Sequence, residues 1–137
     1  MGEVRTEITL VNIGDHEVAN RGYIPQEQVR RLTVNAVVNT GAWTLVINEA
    51  TREKLGLRVE ETLDTTLAGG GKVPSQVTEM VRICWKNRKA DCEAVVLPGE
   101  TEVLLGALPL EAMDLTVNPK RKEVVGAHGD TRLSVVK

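Results

Sequence analysis

Few side chains in this sequence are spaced to do chemistry by themselves. Cys84 and Cys92 lie eight residues apart, and His16 and His128 are remote from them and from each other, so no zinc-ligand spacing is present. A cross-strand disulfide would need the segment to fold back on itself. Reduced, structural thiols are the better expectation for a chain that opens without an apolar signal segment. Gly69-Gly70-Gly71-Lys72 invites a phosphate-loop reading, but the GxxxxGK[ST] spacing is missing and Val73 follows the lysine. Ser75 and Asp64 could nominally complete a triad with a histidine, yet no nucleophile motif surrounds the serine. What remains is three features in a fixed order. An apolar stretch runs into a polar turn, Val37-Val38-Asn39-Thr40-Gly41-Ala42. A glycine-tipped segment follows from Leu67 to Pro74. Two leucines and a glycine, Leu104-Leu105-Gly106, then precede a short helical stretch.

With aspartate in place of Asn39, this order resembles the retropepsin-like aspartic proteases: Asp-Thr-Gly-Ala, a flap, then an apolar-apolar-Gly motif and a helix. The resemblance runs from about Val29 to Val117 and carries specific expectations. The fold would be all-β, a closed β-barrel protomer with one or two short helices and a glycine-rich flap hairpin. Peptide hydrolysis in such a fold uses two carboxylates sharing one proton, because like charges a few Å apart cannot both ionise. The resemblance supplies one such turn per chain, so it implies a homodimer with the site on its twofold axis. Neither metal nor cofactor is implied. Asn39 would occupy the catalytic position, and Thr40 would hold the two turns together across the axis. Gly41 would let the backbone turn sharply. Ala42, Trp43, Ala68, Gly69, Gly70 and Gly71 would contact an extended peptide or protein substrate, and Leu104, Leu105 and Gly106 would support the loop from behind. Leu115 to Asn118 would lie in the dimer interface beside the strand from Val4. Asn39 is the departure: an amide takes no proton near neutral pH and carries no charge to activate water. Losing general acid–base work costs about 10²–10⁴ in rate. The expected behaviour is peptide binding without cleavage, whether an aspartate was replaced or the chain is a pseudo-protease. The alternative is a non-catalytic peptide-binding or assembly module.

The elements that must position these residues can be read from periodicity. Strands are expected over Val4–Ile13, Val29–Val38, Trp43–Ile47, Thr62–Leu67, Val73–Trp85 and Ala90–Leu97. Asn12 to Pro25 reads as a loop, Lys86 to Lys89 as a turn, and Val103 to Gly106 as a short buried strand. Asn48 is placed to cap a helix that Gly56 closes, and Pro109 to start a second, Leu110 to Asp114. Leu115-Thr116-Val117 and Glu123-Val124-Val125 would pair about a turn at Asn118-Pro119. A last apolar stretch is Leu133-Ser134-Val135-Val136. Trp43 suits a pocket wall or a core anchor equally, whereas Trp85 belongs in the core. Both histidines are expected on solvated loops.

The 137 residues make one domain, with its core at about 25–125 and extensions at the dimer interface or open to processing. Hydrophobic residues make up 42% of the chain, mostly aliphatic, which favours sheet. A formal charge of −2 gives no footprint for nucleic acid or an anionic membrane surface. No apolar run reaches the ~20 residues of a spanning helix. Met1-Gly2 is a poor acylation start beside acidic Glu3. A cytoplasmic location is expected.

Overall fold

A computed structural model describes residues 3–129. The Met1-Gly2 start and the Leu133–Val136 stretch lie outside the described residues. Strand β1 (Arg5–Asn12) pairs antiparallel with β2 (Arg31–Val38), and Thr9 and Thr33 share a hydroxyl hydrogen bond of 2.8 Å across the pair. Between them, where a loop was expected, stands helix α1 (Ile13–Asn20), followed by a 3-10 turn at Gln26–Gln28. Its cap explains the difference. Asn12 is buried, accepts from the Asp15 N–H at 2.9 Å and donates to the Leu55 carbonyl at 2.7 Å. One side chain thus starts the helix and ties it to the next. Ala19 adds a small cluster with Val11 and Val29.

The second helix arises as its caps predict. Strand β3 (Leu45–Asn48) leads into α2 (Glu49–Leu55), and Gly56 closes it in the left-handed conformation at φ 65°. Asn48 accepts from the Thr51 N–H at 2.8 Å and donates to the Thr101 carbonyl at 2.8 Å. Asn48→Ala is expected to cost about 1–2 kcal/mol, because a cap and a second hydrogen bond go together. A urea midpoint lowered at constant slope would show it.

Strands β4 (Val59–Thr66) and β5 (Lys72–Thr78) form an antiparallel hairpin. The long strand expected over Val73–Trp85 breaks at Glu79-Met80, before β6 (Val81–Trp85). The Glu79 N–H there donates to the Arg58 carbonyl and its side chain accepts from the Arg58 N–H, which turns the chain toward β1. The stretch Ala90–Leu97 also divides, into β7 (Arg88–Cys92) and β8 (Ala94–Leu97). At Glu93 the chain changes partners: β7 pairs with β6, while β8 pairs with β3 and β5, and the Thr44 hydroxyl donates to the Glu93 carbonyl at 2.7 Å. Then come β9 (Leu104–Leu105), α3 (Ala107–Ala112), β10 (Leu115–Asn118) and β11 (Glu123–Gly126).

Nine strands join in the order β4-β5-β8-β3-β9-β2-β1-β6-β7, a curled half-barrel with β4 and β7 at its edges. Among the described residues, strand pairing does not make the full closure that was expected. The α-helices number three among the described residues, not one or two, and α3 begins at Ala107, ahead of Pro109. Strand β10 pairs with β11 in a separate ribbon, whereas the Val4 carbonyl accepts from Val38. The core centres on Ile8, Leu10, Leu45, Ile47, Leu55, Leu57, Ile83 and Leu105. Trp85 joins it, 4% exposed, with its indole N–H on the Thr6 hydroxyl at 2.8 Å. Buried Arg88 donates to the Met113, Asp114 and Gly129 carbonyls, binding β7 to the end of α3. Cys84 faces Lys89 and Cys92 faces Val81 across the β6–β7 ladder, and the cysteines pack into different clusters. Both are free, and burial pushes the Cys92 thiol up.

Candidate active site

The polar turn after β2 is built almost wholly from backbone hydrogen bonds. β2 runs parallel to β9, and the Asn39 N–H donates to the Leu105 carbonyl at 3.0 Å. The Ala42 N–H returns to the Asn39 carbonyl at 3.0 Å, closing the turn. Inside it, the Asn39 Oδ1 accepts from the Gly41 N–H at 2.9 Å. A side chain on Gly41 would crowd that oxygen, its Cβ lying 3.1 Å away.

Gly106 locks the turn to the helix behind it. A Cβ there would lie 2.2 Å from the Thr44 carbonyl oxygen and 2.6 Å from that of Ala42. Because the backbones touch, the first N–H groups of α3 reach the loop: Ala107 donates to Ala42 at 2.8 Å and Leu108 to Trp43 at 3.0 Å. These orphan donors of a helix start are satisfied by the loop they support. Pro109 in the same first turn has no N–H to leave unpaired.

Asn39, Gly41, Ala42, Trp43, Ala68 and Leu104 come together around a groove of about 370 Å³. Its remaining walls are Val46, Val95, Leu97 and the hairpin residues Thr65, Thr66 and Leu67, which sequence reasoning missed. Trp43 is 57% exposed, so it is a groove wall and not a core anchor. The other expected site residues separate from it. Gly69, Gly70 and Gly71 sit at the exposed hairpin tip, which closes through Leu67 N–H to Gly71 and Gly70 N–H to Leu67 hydrogen bonds. Gly70 has φ 90°, a conformation that explains its glycine. Leu105 is buried in the core. Thr40 faces another hollow, lined by Ala107, Leu110, Glu111, Leu115, Thr116 and Val117.

Among the described residues, none that lines the Asn39 groove is ionisable. The histidines are occupied elsewhere, His16 with Asn20 and His128 with Asp114, and the Ser75 hydroxyl meets the Val73 carbonyl. Charges of the fold instead form peripheral pairs. Hydrogen bonds from Arg30 hold Asp15 below the usual carboxylate range, and Arg82 does the same for Asp91. A depressed folded pKa adds stability above the ordinary carboxylate range, and that stability is lost as pH falls through the folded value. The urea midpoint is therefore expected to hold from pH 7 to 5 and to fall below pH ~4. Asp91→Asn should reduce that dependence.

Residues 26–108, more than half of the chain, match the family described as aspartyl protease, and the chain belongs to that family. Its fold is retropepsin-like. The retroviral protease-like domain of Ddi1 from Leishmania major is similar at 15% identity with a TM-score of 0.56, over 91% of this chain and 88% of that one. EIAV protease, in a complex with the inhibitor HBY-793, is 24% identical with a TM-score of 0.45, over 58% of this chain and 75% of that one. A search of curated proteins finds no match. Among the described residues, no helix is long and apolar enough to cross a membrane.

Proposed function

We propose that this chain is an aspartic-endopeptidase scaffold that pairs with a second copy and holds an extended peptide between its loops and its β4–β5 hairpins. In this reading Asn39 stands at the catalytic aspartate position, so peptide is bound and not cut. The observation that carries it is the groove itself: the Asn39 turn forms one wall and Thr65 to Ala68 of the hairpin another. A peptide strand between them would offer its main chain to the hairpin and its side chains to Val46, Val95 and Leu104, as added strands do. Thr40, on the hollow beside α3 and β10, would face the second copy.

The second reading is a binding-only module with a native amide. Asn39 fits its turn without conflict, its carbonyl oxygen taking the Gly41 N–H. Both readings require the groove to bind peptide, and Trp43 tests that. Trp43→Ala is expected to weaken binding of an apolar capped hexapeptide about tenfold, since a half-exposed aromatic makes a strong anchor. The melting temperature should stay within about 2 °C, because the side chain is largely outside the core. Unchanged affinity in calorimetric titration would remove the groove from consideration.

A further inference from the structure

The Asn39 amide points to a narrower ligand class, an inference that rests on the peptide-groove reading above. The Gly41 N–H is a donor, so the Asn39 atom that meets it must be Oδ1. The two N–H groups of Nδ2 are then left available, with no hydrogen bond to another described residue. They stand on an exposed turn at the wall of a groove whose lining, among the described residues, contains no ionisable group. A neutral double donor beside an apolar trough suits an acceptor attached to an apolar side chain. Among acceptors an anion gains most, because charge-assisted hydrogen bonds are roughly twice as strong as neutral ones. Asn39 is exposed, so such an anion keeps part of its hydration while the attached side chain is buried. An aspartate at this position would repel the same anion.

We infer that the groove takes the free C-terminal end of a peptide, its last apolar side chain against Val46, Val95 and Leu104 and its carboxylate on the Asn39 amide. In the paired form a second Asn39 would add two more donors to the same carboxylate. This would make the chain a reader of peptide ends, the chemical form that any endopeptidase leaves behind.

The test uses the full chain and acetyl-Ala-Val-Leu, as free acid and as C-terminal amide, titrated by calorimetry at pH 7. The wild-type chain is expected to bind the acid about fivefold or more tighter than the amide. Asn39→Asp should lose about tenfold or more for the acid through like-charge repulsion, and less than about threefold for the amide. Asn39→Ala should bind both forms equally. Melting curves establish that each variant is folded, and intact mass shows whether Asn39→Asp cuts the probes. Equal affinities of the wild-type chain for acid and amide would overturn the inference, as would an acid affinity unchanged in Asn39→Asp. A hexapeptide blocked at both ends separates the two levels. If it binds while the acid shows no advantage, only this inference falls; if no peptide binds, the groove reading falls with it.

Discussion

On the reading proposed above, Asn39→Asp is expected to confer endopeptidase activity, with a rate gain of at least about 10²–10⁴ on denatured protein at mildly acidic pH. The gain follows from proton bookkeeping. One carboxylate takes a proton as water attacks the peptide carbonyl carbon, and the partnering carboxyl donates to the carbonyl oxygen. The tetrahedral adduct then collapses, breaking the C–N bond as the amine leaves with a proton. An amide can fill neither role, because it is neither basic nor acidic in this range. Asp is nearly isosteric with Asn and its Oδ1 can accept from Gly41 as the amide does, so the turn should keep its shape. New fragments by mass spectrometry, blocked by a pepstatin-like transition-state mimic, would check it. If a tail contains a self-processing site, the variant's own mass should fall on prolonged incubation. A folded Asn39→Asp chain that binds peptide and leaves it whole would remove the endopeptidase reading and retain the binding one.

Gly106→Ala is expected to be among the most destabilising single-methyl changes in the molecule, costing about 4 kcal/mol or more. Gly106 has φ −91° and ψ −174°, open to any residue, so its requirement is space and not conformation. The added carbon would lie under 3 Å from three backbone atoms, the carbonyl oxygens of Ala42 and Thr44 and the Thr44 nitrogen. None of these can rotate away as a side chain could. Relief means pulling α3 from the Asn39 turn and losing the Ala107 and Leu108 hydrogen bonds. Gly70→Ala is the control. Nothing lies within 4 Å of its Cβ, and only its φ of 90° opposes the change, so about 1 kcal/mol is expected. Equal urea midpoints for the two variants would contradict this reading of the glycines.

Whether a feature was legible in the sequence depended on how local its cause is. The second helix was readable at both ends, since Asn48 and Gly56 act on their own turn. The Asn39 turn and the Leu104-Leu105-Gly106 support were readable as an ordered set, though not the 2.2 Å approach that makes the glycine necessary. The first helix was hidden because its cap, Asn12, gains half its role from Leu55, far along the chain. The division at Glu93 was hidden because the alternating Ala90-Asp91-Cys92-Glu93 passes into Ala94–Leu97 with no glycine or proline to mark where the strand changes neighbours. For the same reason Val46, Val95 and Leu97 were missed. They meet at the groove through parallel pairing of β3 with β8, and only that pairing brings them there. Thr40 and Asn39 are adjacent in sequence yet line different hollows, a divergence fixed by the turn and invisible to spacing.

The central claim is that two copies meet at Asn39, and cysteine cross-linking tests it most directly. In a Cys84→Ser background, with Cys92 sealed in the core, Asn39→Cys supplies one accessible thiol per chain. Treatment with a short bis-maleimide should convert most of the protein to a covalent dimer on a denaturing gel, and an apolar peptide in the groove should slow that reaction. A chain that stays monomeric while the introduced thiol reacts freely with a monofunctional maleimide would contradict the shared site.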